Sequence, residues 1–232
     1  MRLDTEALLV RRVAYGEADL LVSFFTRERG SLSAVARAAR RSAKRFPSLE
    51  PMHLLRIVVD ERPGAELGTL VEARLERPRL RLTAALDRLD AAGRALRWVR
   101  RAAPPHTPEP AMWVEINALL DALDEPELAE RPGLMLAETG LRFLVAFGWG
   151  LDFDRCVVCG RPCDPAASAC IDPARGGLVC RRCGGAKRVL RADRRGRLTR
   201  AAAGERGALV AADEDVAIEL VDAALAEHAG LQ

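Results

Sequence analysis

The sequence is poor in aromatic side chains, lysine and histidine. Aromatic residues make up 4% of its 232 residues, Tyr15 is the one tyrosine, and Lys44 and Lys187 are the lysines. The histidines, His53, His106 and His228, lie far apart, and none begins the H-x-E of zinc deaminases. P-loop, G-x-G-x-x-G and G-x-S-x-G motifs are also missing. No catalytic constellation is visible, and the chain reads as a non-enzyme. No stretch approaches the roughly 18 uninterrupted apolar residues needed to span a bilayer. The start, Met1 to Glu6, lacks the basic and apolar runs of a signal peptide. A soluble cytoplasmic protein with no membrane partner is therefore expected, long enough for one large domain or two small ones.

A net charge of +3 averages over segments of opposite sign. From Arg37 to Arg45 the cations Arg37, Arg40, Arg41, Lys44 and Arg45 occur without an acid, and a second basic run extends from Lys187 to Arg200. Between Glu109 and Asp154, by contrast, ten carboxylates face only Arg131 and Arg142. Such clustering suits a surface that meets phosphates, since neutralising them releases counterions. A solubilising loop is the plain alternative.

Residues 6–13, 20–25, 31–37, 52–60 and 69–76 read as five short strands separated by turn signals such as "TRERG". Five strands with a basic segment between the third and fourth suggest a small closed barrel. Periodicity alone does not separate an OB fold from an SH3-like barrel. Its aromatics, and so its candidates for base stacking, are Tyr15, Phe24, Phe25 and Phe46. From Leu82 the period changes to about 3.6. Leu82, Leu86, Leu89, Gly93, Leu96 and Val99 form an apolar stripe opposite a charged, solvated face. Helices follow from Pro110, over 133–148 and from about Asp213, with Trp98, Trp113 and Trp149 assigned to packing. The expected class is α+β and multidomain: a barrel over residues 1–78, then a helical domain over 79–232.

All six cysteines fall between Cys156 and Cys183. In a reducing compartment such a cluster points to metal or redox chemistry more than to disulfides. Cys156–Cys159 and Cys180–Cys183 are C-x2-C pairs twenty residues apart, the spacing at which two knuckles complete a tetrahedral zinc site. Gly160, Gly184 and Gly185 supply the positive φ that such turns need. Four thiolates close the coordination shell, so the expected Zn2+ is structural, and Cys163 and Cys170 stand outside it. A disulfide or redox pair is the alternative.

Taken together, "TEALLVRRVAYGEADLLVSFFTRERGSLSAVARAARR" (5–41), "LGTLVEARL" (67–75), "GWGLDFDRCVVCG" and "GGLVCRRCG" resemble the bacterial RecO family of recombination mediators. The resemblance implies an N-terminal OB fold, then a helical domain with a zinc finger at about 154–186. It also implies a non-enzymatic protein, nucleoid-associated when bound to DNA. Such a protein binds single- and double-stranded DNA and anneals complementary strands. With RecR, and with or without RecF, it helps RecA displace single-strand-binding protein (SSB). Arg37, Arg40, Arg41, Lys44 and Arg45 are the expected phosphate contacts, with Arg27 and Arg29 as outer contributors. Ala38 departs from the family, which usually has glycine there. A zinc-ribbon adaptor whose barrel binds an acidic protein without touching DNA is the second reading.

Overall fold

The computed structural model describes residues 1–41, 46, 49–62, 64 and 66–228. It divides into two compact units, Met1–Leu128 and Ala129–Gln232.

The first unit opens with five strands, β1 (Arg2–Tyr15), β2 (Asp19–Thr26), β3 (Gly30–Ala36), β4 (Leu54–Asp60) and β5 (Gly68–Arg77). They close in the order β1-β2-β3-β5-β4, with β3 and β5 parallel and β1 returning antiparallel to β4. This is the five-stranded Greek-key barrel of an OB fold, which settles the choice that periodicity left open. β3 shows the pattern most plainly, alternating buried and half-buried residues along "GSLSAVA". Ala7, Leu9, Val22, Phe24, Leu32, Leu55, Ile57, Val59 and Leu70 fill the interior, joined by Phe46 and Leu49. Gly30, which ends the "TRERG" turn, has φ +59, and a Cβ there would sit 2.0 Å from the Thr107 carbonyl oxygen. Only glycine fits that approach.

Two helices complete this unit, α1 (Leu86–Ala102) and α2 (Pro110–Asp124), the latter entered through a proline in its first turn. α1 buries Leu96 and Val99 of the stripe expected of it but leaves Leu86 and Leu89 exposed. Leu86 is 82% exposed, and the packed face is Ala91, Ala92, Ala95, Leu96, Trp98, Val99 and Ala102. Small alanines allow close approach, so the buried stripe carries little hydropathy and is easily misplaced by a quarter turn. Trp113 of α2 lies 5.7 Å from Phe25 of β2, ring centre to ring centre. Arg79, 1% exposed, joins the barrel's exit to α2 through Asp121, Asn117 and the Met52 carbonyl.

The second unit holds α3 (Pro132–Ala146), apolar on most sides and buried accordingly, and α5 (Glu214–His228). Between them lie β6 (Asp152–Cys156), β7 (Ala169–Asp172), β8 (Gly177–Leu178) and β9 (Arg188–Leu190), a small sheet in the order β6-β8-β7-β9. A further helix, α4 (Ala192–Ala202), follows. No helix among the described residues is long and apolar enough to cross a membrane.

Candidate metal centre and nucleic-acid surface

Cys156 ends β6, and Cys180 follows β8, which pairs with β6. Sheet pairing therefore brings the two C-x2-C loops together. Within them Gly160 N donates to the Cys156 carbonyl (2.8 Å), Cys183 N to the Cys180 carbonyl (2.9 Å) and Gly185 N to the same oxygen (3.1 Å). The expected glycines carry the turns, with φ +69 at Gly160, +99 at Gly184 and +64 at Gly185. The four sulfurs lie within 4.8 Å of one another, a group able to hold a metal ion.

The electrostatics fit a cation. The backbone N–H of Cys180 donates to the Cys156 sulfur at 3.3 Å and, with further N–H donors of the first knuckle, holds that thiol down at about 6 against the effect of burial. Cys183 is pushed up to about 12, because it hydrogen-bonds the Cys180 and Cys159 sulfurs in its neutral form and meets the charge of its neighbours. Four crowded thiols cannot all ionise unless a positive ion neutralises them. Cys163 and Cys170 are not members of the group. Burial raises the thiol of Cys163.

In the first unit, Arg37, Arg40 and Arg41 are exposed on the turn that follows β3. This turn docks on the β1–β2 turn: Arg40 N donates to the Ala18 carbonyl (3.0 Å), the Arg40 guanidinium to the Glu17 carbonyl (3.2 Å) and Ala38 N to Asp19 (2.8 Å). Arg41 lies 3.7 Å from the Glu17 carboxylate, both side chains largely in water. Ala38 sits in the left-handed region with φ 56, a conformation that favours glycine. Lys44 and Arg45 lie outside the described residues. Arg27 and Arg29 occupy the turn before β3, so the seven-residue strand, about 20 Å long, separates them from the Arg37–Arg41 turn. Arg29 is also turned towards Glu61, at 3.6 Å.

Burial narrows the stacking candidates. Phe24 and Phe25 are 0% exposed and Phe46 4%, whereas Tyr15 is 55% exposed. The second basic run proves largely structural. Arg194 and Arg197 bind Asp213, Arg195 reaches the carbonyls of Ala167 and Asp164, Arg188 pairs with Glu219 and Arg200 with Glu205.

Sequence reading passed over one cluster. Arg100 of α1 donates to the Val10 carbonyl (3.1 Å), and its guanidinium is lowered by burial and by the charges of Arg11 and Arg97. Strand and helix are ninety residues apart, so no local pattern could announce three cations sharing one place.

Fold and site together define a class, a two-unit protein that joins an OB-type barrel to a helical unit with a four-cysteine centre. The chain belongs to the recombination protein O family: the family's N-terminal model matches residues 1–79 and its C-terminal model residues 84–231. Relatives include the DNA repair protein RecO of Anaeromyxobacter sp. (strain Fw109-5), 36% identical over 183 residues that cover 78% of this chain and 70% of that protein. The DNA repair protein RecO of Myxococcus xanthus is 36% identical over 190 residues (79% and 73%), and that of Rubrobacter xylanophilus 32% over 180 residues (77% and 70%).

Proposed function

We propose that this chain is a DNA-binding recombination mediator in DNA repair. It binds single- and double-stranded DNA and anneals complementary strands. Together with RecR, and with RecF where present, it assists the loading of RecA on strands coated by SSB. Membership of the family over both units carries this reading, and the exposed arginine turn after β3 supports it. In this reading Arg37, Arg40, Arg41, Lys44 and Arg45 hold phosphates, with Arg27 and Arg29 as a separate outer contact. Cations that grip backbones leave base edges free, and neutralising two strands removes the repulsion that opposes their pairing.

Cys156, Cys159, Cys180 and Cys183 would hold one Zn2+, the ion that four tetrahedral thiolates favour. Its role is structural: it neutralises the thiolates and fixes the two knuckles. The reading has a direct test in a salt series with a fluorescent oligonucleotide. The double variant Arg40→Ala with Arg41→Ala is expected to reduce the slope of log K against log salt by about 2, near one unit per phosphate contact. Absence of binding at low salt, or a double variant indistinguishable from the parent, would sink it.

A further inference from the structure

We infer that Tyr15 and Arg11, with Arg97 and Arg100 of α1 beside them, form a single-strand subsite on the outer face of β1. Tyr15 stacks an unpaired base and the arginines hold the adjoining phosphates. The inference rests on the DNA-binding reading above and adds to it the residue that separates single strands from duplex.

Three observations carry it. The first is register. β1 and β2 slip at a bulge between Leu9 and Arg11, after which Arg12 stands opposite Val22 and Ala14 opposite Leu20, residues whose side chains belong to the barrel core or pack against it. Arg11, Val13 and Tyr15 therefore take the other face, at period two. From Arg11 to Tyr15 that face extends about 13 Å, and all three residues are exposed. The pairing of β1 with β4 ends at Leu8 opposite Leu54, so this half of the strand extends beyond the closed barrel.

The second observation is charge. Arg12, Arg29 and Arg56 have carboxylate partners in Glu50, Glu61 and Asp4. Among the described residues no carboxylate pairs with Arg11, Arg97 or Arg100, and the charges that Arg100 meets are those of the other two. Three cations gathered without a counter-charge repel one another, and an anion relieves that repulsion. Two of them stand on a helix fixed to β1 by the Arg100–Val10 hydrogen bond, so they are held in place.

Chemistry supplies the third. Tyr15 is the exposed aromatic among the barrel's described residues, and it directly precedes the Gly16–Ala18 turn on which Arg40 docks. A π-face between two groups of arginines is the arrangement that holds a flexible strand, since phosphates are gripped on either side of a stacked base. A duplex offers no unstacked base to Tyr15. The cations act on both substrates and the ring on one.

The test compares the full-length protein with Tyr15→Ala, Tyr15→Phe and Arg11→Gln/Arg97→Gln variants, measuring anisotropy of a labelled oligothymidylate and of a labelled duplex over a salt series. Tyr15→Ala is expected to weaken the oligothymidylate about 5- to 100-fold and to leave the duplex within about twofold. Tyr15→Phe restores the affinity, and the arginine pair lowers both affinities and flattens the salt slope by about 2. Photo-crosslinking of a bromodeoxyuridine strand is expected to label Tyr15. If Tyr15→Ala binds the single strand like the parent while Arg40→Ala with Arg41→Ala does not, the subsite is wrong and DNA binding stands. Failure of the parent protein to bind either substrate overturns both.

Discussion

Ala38 shows how a single side chain can be out of step with its backbone. Its φ of 56 is a conformation in which an L-residue meets its own carbonyl, at a cost of about 1–2 kcal/mol. The turn imposes it, because Ala38 N must reach Asp19 while Arg40 N reaches Ala18. Glycine removes the clash but gives back part of the gain through the freedom of the unfolded chain, about 0.5–1 kcal/mol. Ala38→Gly is therefore expected to stabilise the first unit by about 0.5–1 kcal/mol, without loss of DNA affinity. Urea unfolding followed by the fluorescence of Trp98 and Trp113 measures it, and a destabilised variant would show that the turn does not hold Ala38 there. At this scale the sequence was informative about chemistry and less so about exposure. The clustering of the four cysteines and the turns at the knuckle glycines were legible because their spacing is set by covalent geometry. Phe46 closes a basic run and looks available for stacking, yet it is buried, because exposure depends on contacts from distant residues.

At the scale of elements, legibility followed the length and hydropathy of each piece. The barrel strands of 7–14 residues show their alternation or apolar runs, and α3 announces itself as buried. The strands of the small sheet have 5, 4, 2 and 3 residues, too few for any period to register. α4 carries four arginines in eleven residues and buries only Arg195, Leu198 and Ala201, so it resembles a solvated charge run more than a helix. Its arginines are nonetheless the means by which it is held. Asp213, fully buried before α5, accepts from Arg194 Nε (2.9 Å), Arg197 Nε (2.5 Å) and Nη2 (3.0 Å), and Val210 N (3.1 Å). Burial alone would raise its carboxyl, but Arg197, the Val210 N–H and Arg194 outweigh it and hold the group at about 2. Because the folded value lies below the ordinary 3.8, the stabilisation is present above pH 4 and is lost as pH falls towards 2. Linkage sets it on the order of 2 kcal/mol. Asp213→Asn is expected to remove most of that pH dependence and to lower stability at neutral pH. Thermal unfolding between pH 2 and 7 measures it, and a variant whose acid transition overlays the parent's would refute the assignment.

On the scale of the whole molecule, the two compact units divide the labour differently from the charge map of the sequence. Both basic runs look equivalent as text, but Arg37, Arg40 and Arg41 after β3 are exposed while the run over α4 is tied up in ion pairs and carbonyl contacts. The proposed DNA contacts Arg37, Arg40, Arg41 and Tyr15 belong to the unit that has its own barrel core, and the cysteine centre belongs to the other. A metal held by the four cysteines would support the small sheet more than the barrel, since β8 has two residues and the knuckles join its end to β6. Without a cation the crowded thiols must protonate or separate, so the binding free energy of the ion is folding free energy for that region. Stripping the metal from the full-length protein is therefore expected to speed amide exchange across residues 152–190, while β4 and β5 keep their protection and oligonucleotide binding at low salt persists. Acid should release the metal for the same reason, as protons compete for the thiolates. Hydrogen exchange with and without chelator, read beside the binding assay, decides the matter. Loss of barrel protection or of binding on metal removal would mean that the second unit supports the DNA surface directly, and the division of labour would have to be abandoned.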